Sequence, residues 1–151
     1  MKLSALLSPE RIVLDIKERD KNVLLTKLIK NLAELGGVNN VAMLEKEVKE
    51  REDLGNTGIG RGIGFPHSKS SQVSNILALL ARPAKPVEYG SIDHVPVSIL
   101  LLIVAPADGD NNEYLHTMAR ISRLLGKSEV REQILKAHSA DEVMQIITRN
   151  E

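Results

Sequence analysis

Val97-Ser98-Ile99-Leu100-Leu101-Leu102-Ile103-Val104-Ala105, closed by Pro96 and Pro106, is the longest strongly apolar run in the chain. Its nine residues fall well short of the ~20 that cross a bilayer as a helix. An unbroken stretch of branched aliphatics between prolines reads instead as a strand buried on both faces. Ile76 to Ala81, followed by Pro83 and Pro86, reads the same way, and a short strand is expected at Ile63–Phe65. Around these runs the period changes to that of helices. Over 20–35, Asp20 caps a segment in which Val23, Leu24, Leu28, Ile29, Leu32 and Leu35 recur at helical spacing, and Gly36-Gly37 stops it. A second helix is predicted over 40–52, with Val41, Leu44 and Val48 inward and Arg51 in its last turn. Three more are predicted over 111–125, 128–137 and 140–149, the last opening on the capping box Ser139-Ala140-Asp141-Glu142. The expected architecture is a single α/β domain over residues 1–151, a central mixed β-sheet flanked by helices on both faces.

Composition narrows the function. At 151 residues and 42% hydrophobic content the chain can bury a core without metal or disulfide support, and it has no cysteine to supply either. Twenty basic residues balance twenty acidic ones, which removes the bulk electrostatic case for nucleic acid or an anionic membrane. Phe65, Tyr89 and Tyr114 are the only aromatics, so stacking on bases has little to work with. The N-terminal apolar stretch is too short for a signal peptide, and a cytoplasmic protein without direct membrane insertion is expected.

Five of the ten glycines fall within residues 55–64, at Gly55, Gly58, Gly60, Gly62 and Gly64, and Phe65-Pro66-His67-Ser68-Lys69 follows at once. Glycine costs backbone entropy wherever it is held, so the run implies tight bends or a close approach to a ligand. It reads as the loop that delivers His67. Histidine is a neutral nitrogen nucleophile near pH 7, and if a carbonyl held one ring N–H the other nitrogen would present its lone pair. The glycine spacing matches neither G-x-G-x-x-G nor G-x-x-x-x-G-K-[ST], which leaves nucleotide binding weakly supported. Thr57 can donate to a phosphoryl oxygen or merely cap a turn; Lys69 can attract an anion or merely be solvated. Arg51 is explained equally by the dipole at a helix C-terminus. On the helix near 111–125, His116 lies about 200° around from Tyr114, so the two do not share one pocket easily. His67, His116 and a carboxylate lack zinc-ligand spacing, and no metal or other cofactor is expected. His94 and His138 fall in a turn and at a helix end.

The stretch Arg51-Glu52-Asp53-Leu54-Gly55-Asn56-Thr57-Gly58-Ile59-Gly60-Arg61-Gly62-Ile63-Gly64-Phe65-Pro66-His67-Ser68-Lys69 resembles the signature of enzyme IIA domains of the bacterial phosphoenolpyruvate-dependent phosphotransferase system, in their fructose, mannitol and nitrogen-regulatory class. The resemblance extends through Ile103-Val104-Ala105-Pro106-Ala107 to Glu142-Val143-Met144-Gln145-Ile146-Ile147. It implies a phosphoryl carrier whose His67 is loaded at Nε2 by a histidine-containing phosphocarrier protein (HPr or its nitrogen-type paralogue). It also implies roles for Arg51 and Thr57 at the phosphoryl group, which agree with a reaction that needs positioning and charge neutralisation. The family's auxiliary histidine aligns with Tyr114 rather than His116; a tyrosine can donate a hydrogen bond but carries no positive charge. Arg61 is expected to bring a further positive charge near the site, where it could compensate for Tyr114. Transfer onward to a IIB domain for sugar uptake, or a regulatory output through target proteins, is implied, with regulation favoured; a binding module that is never phosphorylated is a further alternative.

Overall fold

The computed structural model describes all residues from Met1 to Glu151. Strand β6 (Ile99–Pro106) is the axis of the molecule, and its side chains divide by the two-residue period of a strand. Ile99, Leu101 and Ile103 enter one apolar cluster, Leu100, Leu102 and Val104 the other, and all six are essentially inaccessible to solvent. Burial on both faces is why the run shows no polar alternation. Strand β5 (Leu77–Pro83) lies antiparallel along one edge of β6, and β1 (Ile12–Ile16) lies parallel to β5 beyond it. On the other edge β6 is paired twice, by the two-residue β3 (Ile63–Gly64) along its first half and by β4 (His67–Ser70) along its second, both parallel. Strand β2 (Gly58–Gly60) pairs antiparallel to β3 and completes a six-stranded mixed sheet.

Helices cover both faces, as expected. Helices α2 (Lys21–Glu34) and α3 (Val41–Leu54) pack Leu24, Leu28, Ile29, Leu32, Leu44 and Val48 against one. The short α1 (Leu3–Leu6) joins α4 (Asn111–Gly126), α5 (Ser128–Lys136) and α6 (Ala140–Asn150) on the other. The side chains of Asp20, Asn40, Asp110 and Ser139 accept the first free backbone N–H groups of α2, α3, α4 and α6. Gly36 and Gly37, both at positive φ, end α2.

Three strands depart from the sequence reading. Residues 55–64 are a hairpin rather than an open loop: β2 and β3 turn through Gly60, Arg61 and Gly62, all at positive φ. β4 escapes the apolar pattern because its buried positions are Ser68 and Ser70. β1 is interrupted by Asp15, a left-handed residue (φ 58°) where the register with β5 shifts.

Candidate functional site

β4 has no strand on its outer edge, and there the C-terminus of α3 and the N-terminal turns of α4 approach His67. Register sets His67 opposite Ile103. Phe65 and Pro66 stand between β3 and β4 on the same edge of β6, where the Pro66 carbonyl still accepts the Ile103 N–H but Pro66 has no N–H of its own to give. On the side away from β6, Phe65 N–H donates to the Thr57 carbonyl but Thr57 N–H goes to Glu52 Oε1 instead of returning, so the Phe65 carbonyl accepts no backbone N–H; it lies 2.7 Å from His67 Nδ1. A carbonyl only accepts, so Nδ1 carries the proton and Nε2 keeps its lone pair. Facing that lone pair at 3.4 Å is Arg51 Nη2, while Arg51 Nη1 donates to the Gly55 carbonyl at 3.3 Å. The ring's tautomer, the orientation of its free nitrogen and the adjacent guanidinium are thus fixed by backbone carbonyls. Such an arrangement suits a neutral imidazole that must attack an electron-poor centre bearing several anionic oxygens.

Tyr114 sits in the first turns of α4, half-buried. Burial raises its phenol pKa and the positive charge of Arg51 opposes the shift, so at neutral pH the group is an O–H donor close to the guanidinium. Lys69 follows His67 by two residues on β4; its Nζ lies 5.3 Å from the centre of the Tyr114 ring and donates to Asn111 Oδ1 at 2.7 Å. A cleft of about 390 Å3 opens beside the pair, bounded also by Pro106, Asp110 and Glu113. His116 is exposed, separated from Tyr114 around the helix as its spacing required. His, Asp and Glu side chains form no cluster able to hold a metal ion.

Two residues are used differently from the sequence expectation. Thr57 is buried, and its hydroxyl donates to Glu52 Oε2 at 2.6 Å, so its one proton is committed to a carboxylate and it anchors the glycine-rich segment. Arg61 lies at the hairpin tip, where its guanidinium donates to the Gly126 carbonyl at the far end of α4. Twelve residues separate Gly126 from Tyr114, about 18 Å of helix, so Arg61 adds no charge at the site. The sequence reading missed Glu52, only 7% exposed, whose carboxylate also accepts the Thr57 backbone N–H at 2.9 Å and pairs with Lys21 Nζ at 2.8 Å. Tyr89 was missed with it: its hydroxyl lies 3.0 Å from Thr57 Oγ1, and Lys21 Nζ stands 4.1 Å over its ring.

Comparison with known proteins gives the family. Residues 5–150 match the model of the phosphoenolpyruvate-dependent sugar phosphotransferase system, EIIA 2. The chain belongs to this family. The IIA domain is 32% identical over all 151 residues to the fructose-specific EIIABC component of Bacillus subtilis, of which it spans 24%. It is also 32% identical over 147 residues to a nitrogen regulatory protein of Bradyrhizobium diazoefficiens, covering 97% of this chain and 95% of that one. The crystal structure of nitrogen regulatory protein IIA-Ntr from Neisseria meningitidis superimposes with a TM-score of 0.89 at 26% identity, covering 96% and 98% of the two chains. The Escherichia coli mannitol enzyme IIA, solved in complex with phosphorylated enzyme IIB, shares the fold with a TM-score of 0.80 at 21% identity over 95% and 97% of the chains. This IIA domain is accordingly a phosphotransferase-system component, and both regulatory and sugar-specific proteins stand among its relatives. No helix is long and apolar enough to cross a membrane.

Two expected results arise from the packing around Thr57. A Cβ on Gly58 would fall onto Ser91 Oγ and within 2.8 Å of Ser91 Cβ, both in a buried residue. Gly58→Ala should therefore lose about 1–3 kcal/mol of stability, the usual cost of overpacking, measured as the shift of a urea unfolding curve. Burial, and after it the charge of Glu52, pushes the Tyr89 phenol above its ordinary pKa. The unfolded chain then loses that proton first, so the stability held by the neutral phenol is complete below pH ~10 and drains as pH rises beyond it. Urea midpoints should fall above that pH in the wild type, and fall less steeply in Tyr89→Phe.

Proposed function

We propose that this IIA domain accepts a phosphoryl group on His67 Nε2 from a histidine-phosphorylated carrier protein and that its output is regulatory. The observation that carries the reading is the Nδ1–H bond to Phe65 O, which leaves Nε2 unprotonated beside Arg51. In the step, the Nε2 lone pair attacks phosphorus in line with the donor nitrogen. The P–N bond to the donor ring breaks, and its electron pair returns to that ring. Nδ1 keeps its proton throughout. Arg51 exchanges its contact with the lone pair for the phosphoryl oxygens, where a planar fork meets spread-out negative charge. Tyr114 donates its hydroxyl to the same group, and Thr57 serves by holding the cradle's backbone. The donor is a protein rather than a small molecule: Leu54, 86% exposed at the end of α3 that carries Arg51, and Leu115, 54% exposed next to Tyr114, offer apolar contacts to a macromolecular surface.

Regulation is favoured because the nitrogen regulatory proteins of Bradyrhizobium diazoefficiens and Neisseria meningitidis match along nearly their full length. The transport reading, with onward transfer to a IIB domain, draws on the Bacillus relative and on the mannitol complex. Incubation with enzyme I, the phosphocarrier protein and phosphoenolpyruvate, followed by intact mass at neutral pH, tests the shared first step. A gain of one phosphoryl group with 31P–15N coupling at Nε2 is expected; no gain in wild type removes the carrier reading. Adding a sugar-specific IIB and its membrane component then separates the outputs by whether the label leaves with sugar.

A further inference from the structure

We infer that Glu52 is the positioning residue of the phosphoryl site, an inference that deepens the proposed function and rests on it. The residue is anomalous where it stands. An acidic side chain in the last turn of a helix opposes the helix dipole, and a buried carboxylate costs free energy unless every oxygen is used. Here both are used: Oε1 accepts from Lys21 Nζ and from the Thr57 N–H, Oε2 from the Thr57 hydroxyl. Since the Thr57 proton goes to Glu52, Tyr89 donates its own O–H to Thr57 Oγ1. The carboxylate therefore fixes Thr57 through two bonds, and Tyr89 adds a third.

What Thr57 holds in turn is the site. Its carbonyl accepts the Phe65 N–H at 2.9 Å, and the Phe65 carbonyl is the acceptor of His67 Nδ1–H. Two residues back from Thr57, the Gly55 carbonyl accepts from Arg51 Nη1. Glu52 and Arg51 are chain neighbours, so the contacts close a ring: Glu52, Thr57, Phe65, His67, Arg51 and back to Glu52. Asn56 braces it from outside, donating to the Tyr89 carbonyl at 2.7 Å and accepting from Gly58 N–H at 2.7 Å. Within the ring the carboxylate touches neither the nucleophile nor the space a phosphoryl group would fill. It acts through the two carbonyls that orient His67 and Arg51. Its loss frees the Phe65 carbonyl to move, lets the imidazole populate the tautomer with Nε2 protonated, and so withdraws the lone pair from reaction.

The test uses Glu52→Gln, Glu52→Ala and, as a control for stability alone, Lys21→Met, which removes a charge partner of Glu52 but neither bond to Thr57. Imidazole 15N shifts at a pH where the ring is neutral report the tautomer directly. Wild type and Lys21→Met should show one tautomer with Nδ1 protonated; Glu52→Ala should show a mixture, and Glu52→Gln, which keeps one acceptor oxygen, should lie between them. Phosphoryl transfer from the phosphocarrier protein should slow about tenfold to a hundredfold in kcat for Glu52→Ala with KM for the carrier unchanged, and stay within about twofold of wild type for Lys21→Met. A single wild-type tautomer in Glu52→Ala, or a rate loss shared equally by Lys21→Met, overturns the inference. The tautomer measurement needs no phosphorylation. Failure of wild type to accept a phosphoryl group would thus remove the carrier reading and leave the role of Glu52 to be decided by the 15N shifts.

Discussion

His67→Ala should accept no phosphoryl group from the phosphocarrier protein while folding as wild type does. The substitution removes the one histidine ring whose tautomer is set by a hydrogen bond; the side chains of His94, His116 and His138 make none. It removes little else. The ring is half-buried at a sheet edge, and losing its bond to the Phe65 carbonyl should cost about 1 kcal/mol, the ordinary net worth of such a bond. Intact mass at neutral pH reads the first expectation and urea unfolding the second. A variant that still gains one phosphoryl group would move the reaction to another residue and end the assignment of His67.

Arg51→Ala carries the second large effect, on rate rather than on capacity. A guanidinium already 3.4 Å from Nε2 has only to exchange that contact for the phosphoryl oxygens when the group arrives, and a preorganised charge of this kind contributes ~10²–10³ to rate where it has been removed from other enzymes. Rapid-quench measurement of the first-order transfer step should show a loss of that order. Arg51→Lys should fall between, since an ammonium supplies charge but cannot fork between Gly55 O and the reacting group. Folding should barely change, because the arginine's contribution to α3 is a terminal dipole contact of about 0.3–1 kcal/mol. A transfer rate within twofold of wild type in Arg51→Ala would mean that the guanidinium does not bear on the phosphoryl group.

The parts of the fold visible in the sequence are those where side-chain hydrophobicity and backbone geometry agree. β6 and β5 could be read because both faces are covered, and the helices because capping side chains and apolar spacing mark the same boundaries. β4 could not. Ser68 and Ser70 occupy its buried positions; Ser70 donates to Glu47 at 2.9 Å, so hydrogen bonds replace the hydrophobic signal. β2 escaped because glycines carry no side-chain pattern. At the site, Gly-rich sequence before Pro66-His67 was enough to single out His67 as the candidate nucleophile, whereas the hydrogen bonding of Thr57 depended on a contact with Glu52 that only the folded chain reveals. Glu52 did leave a trace: an acid beside Arg51 at a helix C-terminus sits against the dipole, and that misfit was open to notice. The alternating charges of the α3 surface hid it.

Thr57 N–H turns away from the Phe65 carbonyl to Glu52, and the imidazole takes up the acceptor left over. Selection of one ring nitrogen is therefore a by-product of an incomplete backbone pair between Thr57 and Phe65, held open by a carboxylate that never meets the ring. A change that closed that pair, giving the Phe65 oxygen the Thr57 amide, would leave His67 unsubstituted and still unfix which of its ring nitrogens carries the proton.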